Sequence, residues 1–475
     1  MTPTHRPTTP PTDRAGGTGE EASPLRSPTL WALCLGYFMV ILDSTIVNVA
    51  LPALRKDLGA GLAAQQWVVD AYLVVLAAGL LCCGACADRF GPRRVFQSGL
   101  ALFVLASLAC GLAPDTTSLV AARVAQGVGA ALALPSSLAL LRVSYQERSA
   151  RARAVGVWGA IAGIAAATGP LLGGLLVSAA GWRLVFFVNV PVGLVAMALT
   201  ARRVRAVPGR PHRLDPAGQV TSLLALAALA LAMIEGGRTG VSRPVVLAAA
   251  VFVLASLGFF LAERRVRVPM IPPHLFADRT LSGATAVGLL INLGFYGELF
   301  VLNLYLQQVR GDSALLAGLA LLPQMGVAVL GSALSGRFTA RTGGPRATML
   351  AGLLVGGAGL LGLTAVGPHT PYPVLVVPLL AAGFGMSFTM PAATTAVTES
   401  APAALAGLAS GVINAARQAG SVIGVALLGA LAGSGGTGMA GVRTALAASG
   451  VAFLAGAAVT ARRVERTGRG ATVNG

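Results

Sequence analysis

The sequence predicts an all-α membrane protein of fourteen transmembrane helices, and three observations predict it. Hydrophobic residues make up 55% of the chain and charged residues 11%, with a mean hydropathy of +0.75. A soluble domain carries about a quarter charged residues. Apolar blocks of about twenty residues, the length a helix needs to cross hydrocarbon, recur throughout the chain. The basic residues, finally, gather in alternate connections between those blocks.

Residues 1–29 are rich in Thr, Pro, Gly and charge and lack an apolar h-region, so they read as a disordered cytoplasmic tail and not a signal peptide. The spans that follow are Leu30–Leu51, Trp67–Ala87, Val95–Leu112, Ser118–Leu141, Ala154–Val177, Leu184–Thr200 and Gln219–Ile234. Then come Pro244–Leu261, Leu281–Leu304, Ala314–Leu334, Ala347–Val366, Pro373–Ala393, Leu405–Leu431 and Val442–Ala461. The seventh is short and the thirteenth unusually polar.

An even number of spans puts both termini on one side, and arginine says which. With the N-terminus inside, the inner segments hold 26 of the 35 basic residues. The outer segments hold seven (Arg55, Lys56, Arg183, Arg238, Arg243, Arg310 and Arg443), and Arg123 and Arg417 lie within spans. That bias predicts cytoplasmic termini. Shifting the count by one helix reverses it, so the arithmetic also supports the span list.

Net charge is +18, yet the charge sits in short loops, with no basic stripe and no interleaved aromatics, which argues against nucleic-acid binding. Of the five cysteines, Cys82-Cys83-x-x-Cys86 superficially suggests a metal site. No histidine lies near it, and small packing residues in a helix account for the pattern. The four histidines all fall in the tail or loops, which excludes a buried histidine relay.

Among the seventeen carboxylates, Asp43, Asp70 and Glu298 fall inside spans, with Glu235 at an outer end. An embedded acid is expensive unless paired or protonated, so each is a functional candidate. Burial favours a neutral carboxyl and a nearby arginine favours the carboxylate, so a site alternating between the two loads and releases a proton. Asp43 in span 1 and Arg123 in span 4 lie at depths of roughly 12 and 8 Å, so they can meet in the outer half of the membrane. Asp70, at roughly 5 Å, reads either as functional or as interfacial. Arg417, near the middle of span 13, is either a proton or substrate residue or a structural arginine capping backbone carbonyls. Glu298 is its acid candidate in the second half, but their depths differ by about two turns, and no pair is predicted.

Span 5 carries six glycines between Gly156 and Gly174, with Gly169-Pro170 expected to kink the helix. Tight packing explains glycines at helical spacing; a hinge or seal between halves explains their density. The loop after span 2, A-D-R-F-G-P-R (Ala87–Arg93), is echoed after span 10 by A-R-T-G-G-P-R (Ala340–Arg346). Both follow the second span of a six-helix half if spans 7 and 8 are an insertion. The division is then a tail (1–29), an N-terminal half (30–200), a linker with two extra helices (201–261), a C-terminal half (262–461) and a cytoplasmic tail (462–475).

These motifs, from Leu30 to about Ala461, resemble the fourteen-helix drug:proton antiporters of the major facilitator superfamily. L-D-S-T-I-V-N-V-A-L-P (Leu42–Pro52) looks like the family's helix 1 signature. G-A-C-A-D-R-F-G-P-R-R (Gly84–Arg94) is similar to the superfamily's loop motif, with Cys86 and Pro92 as departures. R-V-A-Q-G-V-G-A-A-L-A-L-P (Arg123–Pro135) matches the helix 4 motif, Gly169-Pro170 the exporter motif, and G-W-R-L-V-F-F-V-N-V-P-V-G (Gly181–Gly193) the fourteen-helix signature.

The resemblance implies efflux of amphipathic drugs or antibiotics in exchange for protons, by alternating access across the plasma membrane. It assigns proton handling to Asp43 and Arg123. It makes Gly84, Asp88, Arg89, Gly91 and Arg93 a conformational latch, and Gly169, Pro170, Gly173 and Gly174 a hinge. Arg341 stands where the second half would repeat Asp88, so a latch there is weaker or absent. The expected partners are a small amphipathic substrate, protons and the lipid bilayer, with no cofactor or metal, and the chain is expected to work as a monomer. An importer on the same fold is the alternative. A sensor lacks an attached read-out domain, and an enzyme lacks a nucleophile, metal set or paired carboxylates.

Overall fold

The computed structural model describes residues 27–145, 147–209, 216–265, 276–401, 406–434 and 439–465. Among them fourteen helices are long and apolar enough to cross a membrane, and there is no strand. They are α1 (Pro28–Leu58), α2 (Leu62–Phe90), α3 (Pro92–Gly111), α4 (Thr116–Ser144), α5 (Arg148–Ala180), α6 (Leu184–Arg203) and α7 (Pro216–Thr239). The series continues with α8 (Arg243–Arg265), α9 (Arg279–Val309), α10 (Ala314–Arg341), α11 (Pro345–Ala365), α12 (Tyr372–Ser400), α13 (Ala406–Ser434) and α14 (Met439–Arg463). Every expected span has its helix. Most overrun the apolar stretch, because a helix continues into polar residues that lie beyond hydrocarbon. The seventh, short in the sequence, is a full 24-residue helix.

Helices α1–α6 pack on one another, as do α9–α14, while α7 pairs with α8 and also lies in the seam against α2 and α13. The two bundles repeat small devices. Arg93 at the start of α3 donates to the Ala201 carbonyl at the end of α6 (2.6 Å), and Arg346 at the start of α11 donates to Ala461 at the end of α14 (2.6 Å). Each arginine thus satisfies a terminal carbonyl at the negative end of a helix. Thr29 likewise reaches Arg203 O, and Thr280 accepts from Glu465 N–H. The chain after Ala461 is therefore held against α9 as far as Glu465. The rest of the expected C-terminal tail, and residues 1–26, lie outside the described residues.

The bundles touch at one end. There Gln66 donates to Ala426 O (3.0 Å), Gln307 to Val49 O (3.0 Å) and Arg55 to Gln308 Oε1 (3.0 Å). A Cβ on Gly318 would lie 2.2 Å from the Pro170 carbonyl oxygen, and one on Gly174 2.6 Å from that of Ala314. At the other end, where both termini lie, Gly156, Gly159 and Gly163 on α5 and Gly326 and Gly336 on α10 have open space where a Cβ would project. The hydrogen bonds that join the bundles thus gather at the end away from the termini.

Candidate functional site

The centre of the first bundle is built around one carboxylate. In α1 the neighbouring polar side chains are satisfied by their own helix: Ser44 donates to Ile41 O (2.7 Å), Thr45 to Leu42 O (3.1 Å) and Asn48 to Thr45 O (3.3 Å). Asp43, which cannot donate when charged, turns to other helices instead. Its Oδ2 pairs with Arg123 Nη1 from α4, while its Oδ1 accepts from Gln126 Nε2 (2.9 Å) and Asn189 Nδ2 (2.9 Å). Arg123 also donates through Nε to Val68 O on α2 (2.8 Å) and through Nη1 to Gln126 Oε1 (2.7 Å). Its guanidinium lies 4.3 Å from the centre of the Tyr72 ring.

Asp43 is 0% and Arg123 1% exposed, so water screens neither charge. A buried pair is held only where further hydrogen bonds offset desolvation, and besides Gln126 two further helices, α2 through Val68 O and α6 through Asn189, supply them. Gln126 is itself oriented by Ser107 of α3 (2.8 Å). Asn189 is positioned by an interruption in α6, which breaks at Val188 between Leu184–Phe187 and Asn189–Arg203. The depth estimate therefore brought the right acid and base together, but missed Gln126, Asn189 and Ser107. Gln126 was legible as a polar residue three positions from Arg123 on one helix face, and Asn189 as an amide in an apolar run.

The helix carrying Asp70, α2, begins at Leu62, five residues earlier than Trp67 suggested, so Asp70 lies about 12 Å along it. It is fully buried, and neither carboxyl oxygen has a hydrogen-bond partner. Glu298 on α9 is also buried; Gln324 Nε2 reaches both its oxygens (2.9 and 2.7 Å). Glu235 is the outer-end acid and pairs with Arg238 one turn away.

Arg417 on α13 does not meet Glu298, in line with the difference in depth. Among the described residues it also caps no carbonyl of another helix. Its Nη1 donates to Asn414 Oδ1 (3.1 Å) on its own helix, and its buried Nε has no partner.

The remaining candidates divide. Gly169 and Gly173 let α5 close on α1, where a Cβ on Gly169 would lie 2.0 Å from Thr45 Oγ1. Gly173 meets Ile46 O, and Gly174 with Pro170 meets α10. Of the six glycines of α5, only these three serve close packing here; the other three have open space where a Cβ would project. At the tip of α2, Asp88 and Arg89 are exposed. Gly91 adopts φ +91°, a conformation that favours glycine, and a Cβ there would lie 2.7 Å from Val207 O. Arg93 bonds within its own bundle, and Gly84 lies loosely against Pro135.

The Major Facilitator Superfamily family model matches residues 33–425 and again 344–474. The chain is 38% identical to the methylenomycin A resistance protein of Streptomyces coelicolor, over 97% of this chain and 96% of that one. It is 38% identical to the tetracenomycin C resistance and export protein of Streptomyces glaucescens (86% and 76% covered), and 40% identical to the multidrug resistance protein Stp of Mycobacterium tuberculosis (85% and 75%). Among solved structures it is similar in fold to a bacterial homologue of the lysosomal transporter Spinster, inward-facing and unoccupied. The TM-score there is 0.66 at 18% identity, covering 93% of this chain and 97% of that one. The xylose transporter XylE in its inward-open conformation gives 0.64 at 15% identity, covering 92% and 96%. Fourteen membrane-length helices in two bundles, a buried ion pair at the core of the first, and resistance proteins as full-length relatives place the chain in one family: it belongs to the Major Facilitator Superfamily, whose members are transporters and not enzymes.

Proposed function

We propose that the protein is a proton-coupled exporter of amphipathic antibiotics or drugs in the plasma membrane, working as a monomer by alternating access. The resistance and export proteins it resembles along most of its length support efflux. The single observation that supports proton coupling is the buried Asp43–Arg123 pair, because a membrane-embedded acid next to a movable cation is the minimum needed to bind and release a proton.

In the state described here the pair is closed. When the bundles rock and open the other end, Arg123 and Asp43 separate. A carboxylate alone in that dry setting takes up a proton before it can persist. With termini in the cytoplasm, as the arginine bias indicates, the end beside the termini, away from the hydrogen bonds that join the bundles, faces inward and is the side from which cargo loads. Asp88 and Arg89, exposed at that end, act as a latch when it closes. The glycines from Gly169 to Gly174 are the pivot on which α5 moves against α1 and α10.

The test is transport by purified protein in liposomes with an imposed pH gradient, using a panel of amphipathic antibiotics. Accumulation on the acidic side that collapses with a protonophore supports exchange. Equilibration alone points to a facilitator, and accumulation on the alkaline side to an importer.

A further inference from the structure

A second charged group lies outside the proton site. Arg417 sits halfway along α13, beside α9, where a Cβ on Gly288 would lie 3.3 Å from its Cγ. Its guanidinium is within electrostatic reach of the hydroxyls of Tyr37 on α1 and Tyr296 on α9. The Tyr296 hydroxyl in turn meets the Ser44 hydroxyl on α1. Tyr37 lies flat on Trp158 of α5, with centroids 3.7 Å apart and planes 4° apart, and the Trp158 N–H donates to Ser137 of α4 (3.2 Å). Tyr37, Trp158, Tyr296 and Arg417 are each half-buried, and Asn414 is exposed. The cluster joins both bundles.

No carboxylate neutralises this arginine among the described residues. Asp43 is committed to Arg123, Gln126 and Asn189, and Glu298 to Gln324. Asp70 is buried on α2 with no hydrogen-bond partner at all. Asn414 accepts one N–H of Arg417, and the buried Nε has no acceptor. A guanidinium carries five donors in a planar fork that matches a carboxylate. Keeping one at mid-membrane depth with donors unfilled is unfavourable unless something fills them. A stacked aromatic pair alongside offers a flat apolar surface.

We propose that the cargo is an amphipathic anion of the carboxylate class, whose charge docks on Arg417 and whose planar apolar part rests against Tyr37 and Trp158. This deepens the efflux reading, on which it rests, by naming its substrate class. Arg417 accepts the anion by a two-point hydrogen-bonded contact. A neutral analogue loses that contact, and an amine of the same shape meets like charge.

The test is equilibrium binding by purified protein without any gradient, so it stands or falls independently of whether transport is proton-coupled efflux. The probes are pyrenebutyrate, pyrenebutanol and pyrenebutylamine, followed by fluorescence anisotropy. The wild type should bind the carboxylate at least ten-fold more tightly than the alcohol and the amine weakest of all. Arg417→Gln should lose at least ten-fold for the carboxylate while the alcohol stays within two-fold, and Arg417→Lys should recover part of the loss. Unchanged alcohol binding shows that the variant is folded. Tightest binding of the amine, carboxylate binding indifferent to Arg417→Gln, or no binding of any probe would each overturn the proposal.

Discussion

Gln126 holds both members of the buried pair, and replacing it measures how much that support is worth. Gln126→Leu keeps most of the volume and removes the polar head. The structure loses the bond from Gln126 Nε2 to Asp43 (2.9 Å) and the bond accepted from Arg123 (2.7 Å), and leaves Ser107 without its amide partner. Hydrogen bonds to charged groups contribute about 1.5–3 kcal/mol each, so the gross loss is about 3–6 kcal/mol. Burying a leucine returns about 2 kcal/mol. Asp43 keeps Asn189 and Arg123, and Arg123 keeps Val68, so neither charge is stranded. The expected net destabilisation is about 1–4 kcal/mol. The assay is equilibrium unfolding of the purified variant in mixed micelles, beside Val124→Leu, an exposed change on the same helix. A loss for Gln126→Leu no greater than for Val124→Leu would refute the claim that this amide carries the pair.

Gly169→Ala should abolish transport and lower stability by about 1–3 kcal/mol, because its Cβ would press into Thr45; Gly156→Ala, with open space around it, should leave folding intact, and a growth assay under antibiotic reads both. Asp88→Asn should slow transport while cargo affinity stays within a few-fold; a large loss of binding at normal turnover would contradict the latch. Reporter fusions after Thr200 and at Gly475 should register in the cytoplasm and one near Gly240 outside, and an external signal at Gly475 would reverse the orientation. Arg93→Ala and Arg346→Ala should each weaken a helix end by about 1 kcal/mol, and the double variant by the sum, since the two contacts lie in separate bundles.

The helices were legible because hydrocarbon sets a length and excludes charge, so twenty-residue apolar blocks mark them directly. Their ends were not: Gln65 and Gln66 interrupt the apolar pattern ahead of Trp67, yet the helix already starts at Leu62, so Asp70 lies further along it than the pattern suggests. The Asp43–Arg123 meeting was readable from depth alone, because two opposite charges buried at similar heights have few alternatives to each other. The amides around them were harder to read, since Gln126 and Asn189 are neutral and gain their roles only when α3, α4 and α6 converge on α1. The α5 glycines show the same limit. Their spacing announced a close approach, but which three of the six meet a neighbour depends on which end of the transporter is closed.

The central claim is that Asp43 carries the coupling proton, and gradient-driven transport by Asp43→Asn tests it most directly. Asparagine keeps the shape and can still accept from Arg123, but it cannot titrate. In proteoliposomes with an imposed pH gradient, the purified variant should bind cargo, let it equilibrate, and fail to accumulate it. Thermal unfolding alongside separates this from simple collapse, which a stranded Arg123 would cause if the pair were only structural. Uphill, protonophore-sensitive accumulation by Asp43→Asn at the wild-type level would contradict the account and move the proton to Asp70 or Glu298.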